Sequence, residues 1–275
     1  MKIALVFDFD DTLCHDSTSA FLEYYGVNVQ QFWNEKVAKL IDDGWDPIPA
    51  YMYQLIEESK KVPITKNLFK DFGNALPLHK GLDTFVKNLK HFIYPLYPDK
   101  KIELEFFIIS SGIYDIVASC SLTYDIKQIW ASQFHYNNKQ EIEFPKQIIS
   151  FTDKTRYLFY IQKGLLGDEF LNKPFEVNTL VKDVYIPFNQ FIYVGDGYTD
   201  VPCFSLISKA GGKTFAVYDN EKPDSQKRAW GFLNDKRVSQ IFEPNYEIGS
   251  ELYNEILGSL MEIIDGKPLI RHLNS

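Results

Sequence analysis

Near its start the chain carries an unbroken apolar run, Ile3-Ala4-Leu5-Val6-Phe7, that stops abruptly at Asp8-Phe9-Asp10-Asp11. An apolar run of this length bounded by charge predicts a central parallel strand covered on both faces. Alternation along the strand sends the side chains of Asp8 and Asp10 one way and Phe9 the other. A second run, Phe191-Ile192-Tyr193-Val194, ends in the same manner on Gly195-Asp196-Gly197-Tyr198-Thr199-Asp200. Open α/β sheets build their sites outside the carboxyl ends of strands. Two acid-tipped strands therefore weigh against the plain reading of a strand followed by an acidic turn.

After Leu13 the period lengthens. Phe21, Leu22, Tyr25, Phe32, Trp33, Val37, Leu40 and Ile41 recur at spacings near three and four, with helix-start chemistry at Ser17, Thr18 and Ser19 and stops at Gly26 and Gly44. Residues 15–76 accordingly read as a small helical subdomain inserted behind the first acidic cluster, its aromatics mostly core. A helix over Leu82–Phe92 and a strand over Ile102–Ile109 restore the βα rhythm of a parallel sheet. That strand ends in Ser110-Ser111-Gly112, and a helix beginning near Ile113 is expected to aim its free amides toward Asp8. Residues 125–151 suggest a strand and hairpin around Asn137-Asn138. Thr152-Asp153 caps a helix reaching about Lys163 with Lys154 in its first turn. Residues 164–189 lack a clear period and read as a surface insertion, partly helical near Val177–Val181. A helix over Val201–Ser208, a strand over Thr214–Tyr218, an amphipathic helix over Leu252–Ile264 and a loose tail complete the chain. The expectation is α/β: a doubly wound, Rossmann-like parallel sheet (1–14 and 77–275) with a helical cap (15–76).

Composition narrows the function. With 275 residues, of which 45% are hydrophobic, the chain can bury a sizeable core. Its net charge of −8 argues against a nucleic-acid or anionic-membrane surface, so a phosphate substrate would need its positive charge supplied locally. The apolar run before Asp8 is too short for a signal-peptide core and no later segment approaches membrane-spanning length, so a cytoplasmic protein is expected. Cys14, Cys120 and Cys203 are scattered without metal-ligand spacing and read as reduced, buried thiols. The five histidines share no motif spacing either; His15 follows the first cluster closely but reads as a surface or satisfied histidine.

Asp8-Phe9-Asp10-Asp11-Thr12-Leu13 resembles the DxDxT motif of the haloacid dehalogenase-like (HAD) superfamily, most of whose members are magnesium-dependent phosphatases. Ile108-Ile109-Ser110-Ser111-Gly112 resembles the second motif of that family, Lys154 the third, and Gly195-Asp196-Gly197 through Asp200 the fourth. The order matches the phosphoserine-phosphatase-like branch. The resemblance implies that Asp8 is a nucleophile forming an aspartyl-phosphate and that Asp10 is the general acid and base. It implies Mg²⁺ held by Asp8, the backbone carbonyl of Asp10 and Asp196, which would relieve repulsion between two anions. Ser110, Ser111, Gly112 and Lys154 would bind phosphoryl oxygens, with Asp200 and Thr199 behind the metal site. Lys163 and Lys127 are rival candidates for the third-motif lysine, and helix capping is the plain alternative for Asp196 and Asp200. The substrate expected is a small phosphate monoester. Family members that act on phosphoserine use a cap arginine, whereas no Arg lies between Cys14 and Ser110 here; Lys36, Lys39, Lys60 or Lys61 would be imperfect substitutes. Transfer to an acceptor other than water and a non-catalytic phosphoryl-binding module stay open as alternatives.

Overall fold

A computed structural model describes residues 1–170 and 173–267, so the expected loose tail, 268–275, lies outside the described residues. Strands Lys2–Phe7 (β1), Glu103–Ile113 (β2), Gln128–Tyr136 (β3), Ile142–Gln147 (β4), Phe191–Gly195 (β5), Lys213–Val217 (β6) and Gln240–Phe242 (β7) form one sheet in the order β4-β3-β2-β1-β5-β6-β7. Every pairing is parallel except β3 with β4. The chain winds outward from β1 in both directions, which puts the two acid-tipped strands β1 and β5 side by side at the centre.

Alternation along these strands divides the core. Ile3, Leu5, Phe7, Phe106, Ile108, Ile192 and Val194 pack into one apolar layer. Ala4, Val6, Phe107, Ile109, Phe191 and Tyr193 pack into the other. A sheet apolar on both faces must be covered on both. The helices Leu82–Leu96 and Glu251–Asp265 bury Phe85, Leu89, Ile256 and Leu260 in the first layer. The helices Asp153–Lys163 and Val201–Lys209 bury Tyr157, Ile161, Phe204 and Ile207 in the second.

Between β1 and β2 runs the helical segment that the lengthened period predicts. Its helices are Ser17–Tyr24, a continuous turn from Val29 to Asp42 that passes through a π-helix at Phe32–Val37, Pro47–Ser59 and Lys66–Ala75. Gly26 and Gly44 take φ of +83° and +92°, the left-handed stops that favour glycine. The start differs from expectation. Asp16, rather than a hydroxyl, caps the first helix, its Oδ1 accepting from the amides of Thr18 and Ser19 at 3.0 Å. The β3–β4 hairpin meets this segment through Ile142 N–H to the Ile64 carbonyl and Lys66 N–H to the Gln140 carbonyl, both 2.9 Å.

Two further expectations need correction. β2 does not stop at Ile109 but runs through Ser110-Ser111-Gly112 to Ile113, and only the four-residue helix Tyr114–Val117 follows. No substantial helix N-terminus therefore forms at the second motif. The helix Asp153–Lys163 receives no capping bond from the Thr152 side chain; Asp153 accepts from the Ser150 amide instead, at 3.3 Å. In the stretch 164–189 short 3₁₀ turns form at Asp168–Phe170 and Glu176–Asn178. Cys14, Cys120 and Cys203 are all buried. Among the described residues no helix is long and apolar enough to cross a membrane.

Candidate active site

The ends of β1 and β5 bring the acids together. The Asp8 amide donates to the Val194 carbonyl at 2.9 Å, which extends the β1–β5 ladder one residue into the acidic cluster. Carboxylate oxygens of Asp8, Asp196 and Asp200 all lie within 4.8 Å of one another, and all three residues are buried. Asp8 Oδ1 accepts from the Phe9 amide at 2.8 Å, and Asp8 Oδ2 lies 2.9 Å from Lys154 Nζ.

Lys154 is the least expected feature of the site. A lysine in a first helical turn is ordinarily solvated, and the helix dipole disfavours it there. Here it is fully buried, bridging Asp8 and Asp200 Oδ1, the latter at 2.8 Å. Burial alone would lower the ammonium's pKa, but Asp200 and Asp8 outweigh it and hold the lysine charged. The rivals lie elsewhere: Lys163 donates to the carbonyls of Val177 and Thr179, and Lys127 sits 3.8 Å from Glu105.

Asp200 has more partners than Lys154. The Tyr193 hydroxyl donates to its Oδ1 at 2.8 Å and the Gly197 amide to its Oδ2 at 3.0 Å. It thus caps its own turn, Tyr198–Asp200, while reaching into the acid cluster, so the capping and site readings of this residue coexist. Thr199 lies half-buried in the same turn. Gly195 is required by close approach, because a Cβ there would overlap the Asp200 carboxylate.

Asp10 stands on the β2 side. Its Oδ1 accepts from the Ser17 amide at 2.7 Å, and a Cβ added at Gly112 would overlap its Oδ2 and crowd Ser110 Oγ. Ser110 is fully buried and accepts from the Gly112 amide at 2.9 Å; the Ser111 hydroxyl is buried without a partner. Burial, with Asp16 second, pushes the Asp10 carboxyl up to about 7. Burial, with Asp200 second, pushes Asp196 up to about 7 against the pull of Arg228. Asp8 is raised by burial and by Asp200, and Lys154 pulls it back.

Three clustered carboxylates, Asp8, Asp196 and Asp200, meet two cations here, Lys154 and Arg228. The donors are hard carboxylate oxygens, so the set fits a hard divalent cation such as Mg²⁺.

Several residues at the site carried no signal in the sequence. Arg228, on the helix Pro223–Asn234, donates from Nη2 to Asp196 Oδ2 at 2.6 Å. Lys222 donates to Asp11 at 2.9 Å, and Asp11 holds φ of +52°, uncommon for a residue with a side chain. Tyr51 donates to the Ser111 carbonyl at 2.8 Å, tying the helical segment to the second motif. Only the chain's return past β6 brings Arg228 and Lys222 here, and no short-range spacing reports it. His15 is exposed and stands 3.8 Å from Asp219, at the rim.

No family model matches the sequence. Among curated proteins, an uncharacterized protein of Borreliella burgdorferi is 25% identical, covering 93% of this chain and 95% of its own. Solved structures are more distant in sequence. A phosphoserine phosphatase, captured as a phospho-aspartyl intermediate analogue, superposes with a TM-score of 0.55 at 16% identity, covering 93% of this chain and 97% of that one. A probable phosphoserine phosphatase from Vibrio cholerae gives 0.57 at 13% identity, covering 97% and 67%. A HAD family hydrolase from Salmonella enterica serovar Typhi gives 0.54 at 14% identity, covering 90% and 71%. The fold is therefore HAD-like and of the phosphoserine-phosphatase type.

Proposed function

We propose that the protein is a Mg²⁺-dependent phosphatase of small phosphate monoesters, with Asp8 as nucleophile and residues 15–76 as a cap over the strand ends. The observation that carries this reading is the convergence of three buried carboxylates, Asp8, Asp196 and Asp200, around a buried, charged lysine. Such an arrangement is costly to bury, and it suits a site where a bound dication would let an anionic phosphoryl group approach the carboxylates.

An oxygen of Asp8 attacks phosphorus while the bond from phosphorus to the ester oxygen breaks, leaving an aspartyl-phosphate and an alkoxide. Asp10 gives that alkoxide its proton from Oδ2, since Oδ1 is occupied by the Ser17 amide. A carboxyl held up near 7 can both donate this proton and then, as carboxylate, take one from water. The water oxygen bonds to phosphorus, the acyl-phosphate bond breaks, and inorganic phosphate leaves with Asp8 restored. Lys154 and Ser110 meet the equatorial phosphoryl oxygens, where charge is spread in the transition state. A bound Mg²⁺, held by Asp8, Asp196 and the Asp10 carbonyl, would neutralise charge on nucleophile and phosphate.

Three of the four lysines of the helical segment that could meet a substrate carboxylate are already engaged. Lys36 and Lys61 are both paired with the buried Glu58, and Lys60 with Glu57. Leaving groups without a carboxylate, such as phosphorylated alcohols and polyols, suit this segment better than phosphoserine. The test is a panel of phosphate esters with Mg²⁺, run beside Asp8→Asn and excess EDTA. Turnover lost in both controls supports the reading; turnover that survives either overturns it.

A further inference from the structure

The helix Pro223–Asn234 grips one residue of the site at two points. Arg228 Nε donates to the Asp196 main-chain carbonyl at 2.9 Å, and its Nη2 donates to Asp196 Oδ2 at 2.6 Å. One rigid planar group thus holds backbone and side chain of the same residue, which fixes the carboxylate plane. The grip occupies Oδ2 and leaves Oδ1 for a ligand. The segment leading into the helix contributes in the same sense: Lys222 donates to Asp11 at 2.9 Å, so one element restrains both acid-tipped loops. Asp196 is 8% exposed and the Arg228 side chain 22%, so the contact is shielded from solvent rather than a surface pair of little worth.

We infer that Arg228 is a positioning residue for the divalent cation: it presents Asp196 in ligating orientation and thereby sets metal affinity. Partners of this kind, which bond to a ligand and not to the metal, are typically worth about 10–100-fold in affinity. Charge alone predicts the reverse, since a guanidinium beside a dication repels it and its removal would tighten binding. The sign of the effect therefore distinguishes the two.

The experiment is calorimetric titration of MgCl₂ into the metal-free, full-length protein, with metal-free melting temperatures recorded for each variant. Arg228→Met should weaken Mg²⁺ binding about 10–100-fold. Arg228→Lys, which keeps a charge and loses the fork, should fall between it and wild type, and it carries the test if the methionine variant does not fold. Arg237→Met removes an equal charge whose partner is Asp235 and should leave the affinity unchanged. Unchanged or tighter binding in the Arg228 variants overturns the inference. Because it rests on Asp196 as a metal ligand, Asp196→Ala is titrated alongside. Equal binding by wild type and Asp196→Ala would sink the metal site itself, whereas loss in Asp196→Ala with no change at Arg228 would sink only the positioning role.

Discussion

Replacing Lys154 by methionine keeps the length and apolar stem of the side chain and deletes its charge. In the native site that charge lies 2.9 Å from Asp8 and 2.8 Å from Asp200, with Lys154 and Asp200 fully buried and Asp8 nearly so. Removing one partner of a buried ion pair leaves an uncompensated charge and costs about 3–5 kcal/mol. At about 2–4 °C per kcal/mol for a chain of this size, the metal-free variant should melt about 6–20 °C below wild type at pH 8. The loss should depend on pH in a defined direction. Burial and Asp200 already raise the Asp8 carboxyl, and without Lys154 nothing comparable pulls it back. A carboxyl whose folded pKa is raised contributes stability that is present at low pH and lost as pH rises through the folded value. The penalty of Lys154→Met should therefore be smaller at pH 5 than at pH 8, because lowering the pH moves Asp8 toward its protonated form, and added Mg²⁺ should recover part of it at pH 8. Circular-dichroism melts at the two pH values, with and without Mg²⁺, read all of this. A variant that melts with wild type at pH 8, or one destabilised equally at both pH values, would refute the reasoning, the latter by showing that the loss is packing and not charge.

Asp10, held up near 7 chiefly by burial, should be protonated below that pH and lose its proton above it, so initial rates on an alkyl phosphate should fall as pH rises past about 7. In Asp10→Asn that limb should vanish and alkyl phosphates should slow by about 10²–10⁴-fold, while formation of the phosphoenzyme from p-nitrophenyl phosphate, whose leaving group needs no proton, is spared; equal slowing of both contradicts the role. Gly195→Ala forces a Cβ into the Asp200 carboxylate and should cost about 1–3 kcal/mol in thermal melts together with activity. Gly231→Ala, in a helix with open space around it, should instead be neutral or stabilise by up to about 1 kcal/mol. If residues 15–76 cover the strand ends, kcat/KM on a small ester should far exceed that on a folded phosphoprotein, and comparable values would remove the cap from the account.

The central strands were legible because their apolar runs are long and end on charge. β1 and β5 fall where the pattern of Ile3–Phe7 and Phe191–Val194 puts them, and the helices after β1 follow the recurrence from Phe21 to Ile41. The continuation of β2 through Ser110-Ser111-Gly112 was not legible, because Ser and Gly read as a strand end while pairing with β3 extends the strand to Ile113. Asp16 displaced the hydroxyls as the first helix cap because its side chain reaches two amides at once. Lys154 could be singled out by its resemblance to the third motif, with Lys163 and Lys127 as rivals, but not its burial, which depends on Asp8 and Asp200, far away in sequence. Arg228 and Lys222 left no trace at all, and Tyr193 read only as an apolar position of its strand, since contacts made by the winding of the sheet have no local period.

The central claim is that phosphate passes through Asp8. Asp10→Asn, mixed with p-nitrophenyl phosphate and Mg²⁺ in a rapid-quench instrument, should release about one product per enzyme and then stall, because the base that activates water for the second step is missing. Borohydride trapping followed by peptide mass spectrometry should then find the modified side chain at Asp8 in stoichiometric yield. Absence of a burst together with an unmodified Asp8, or a phosphoryl group trapped on any other residue, would contradict the account.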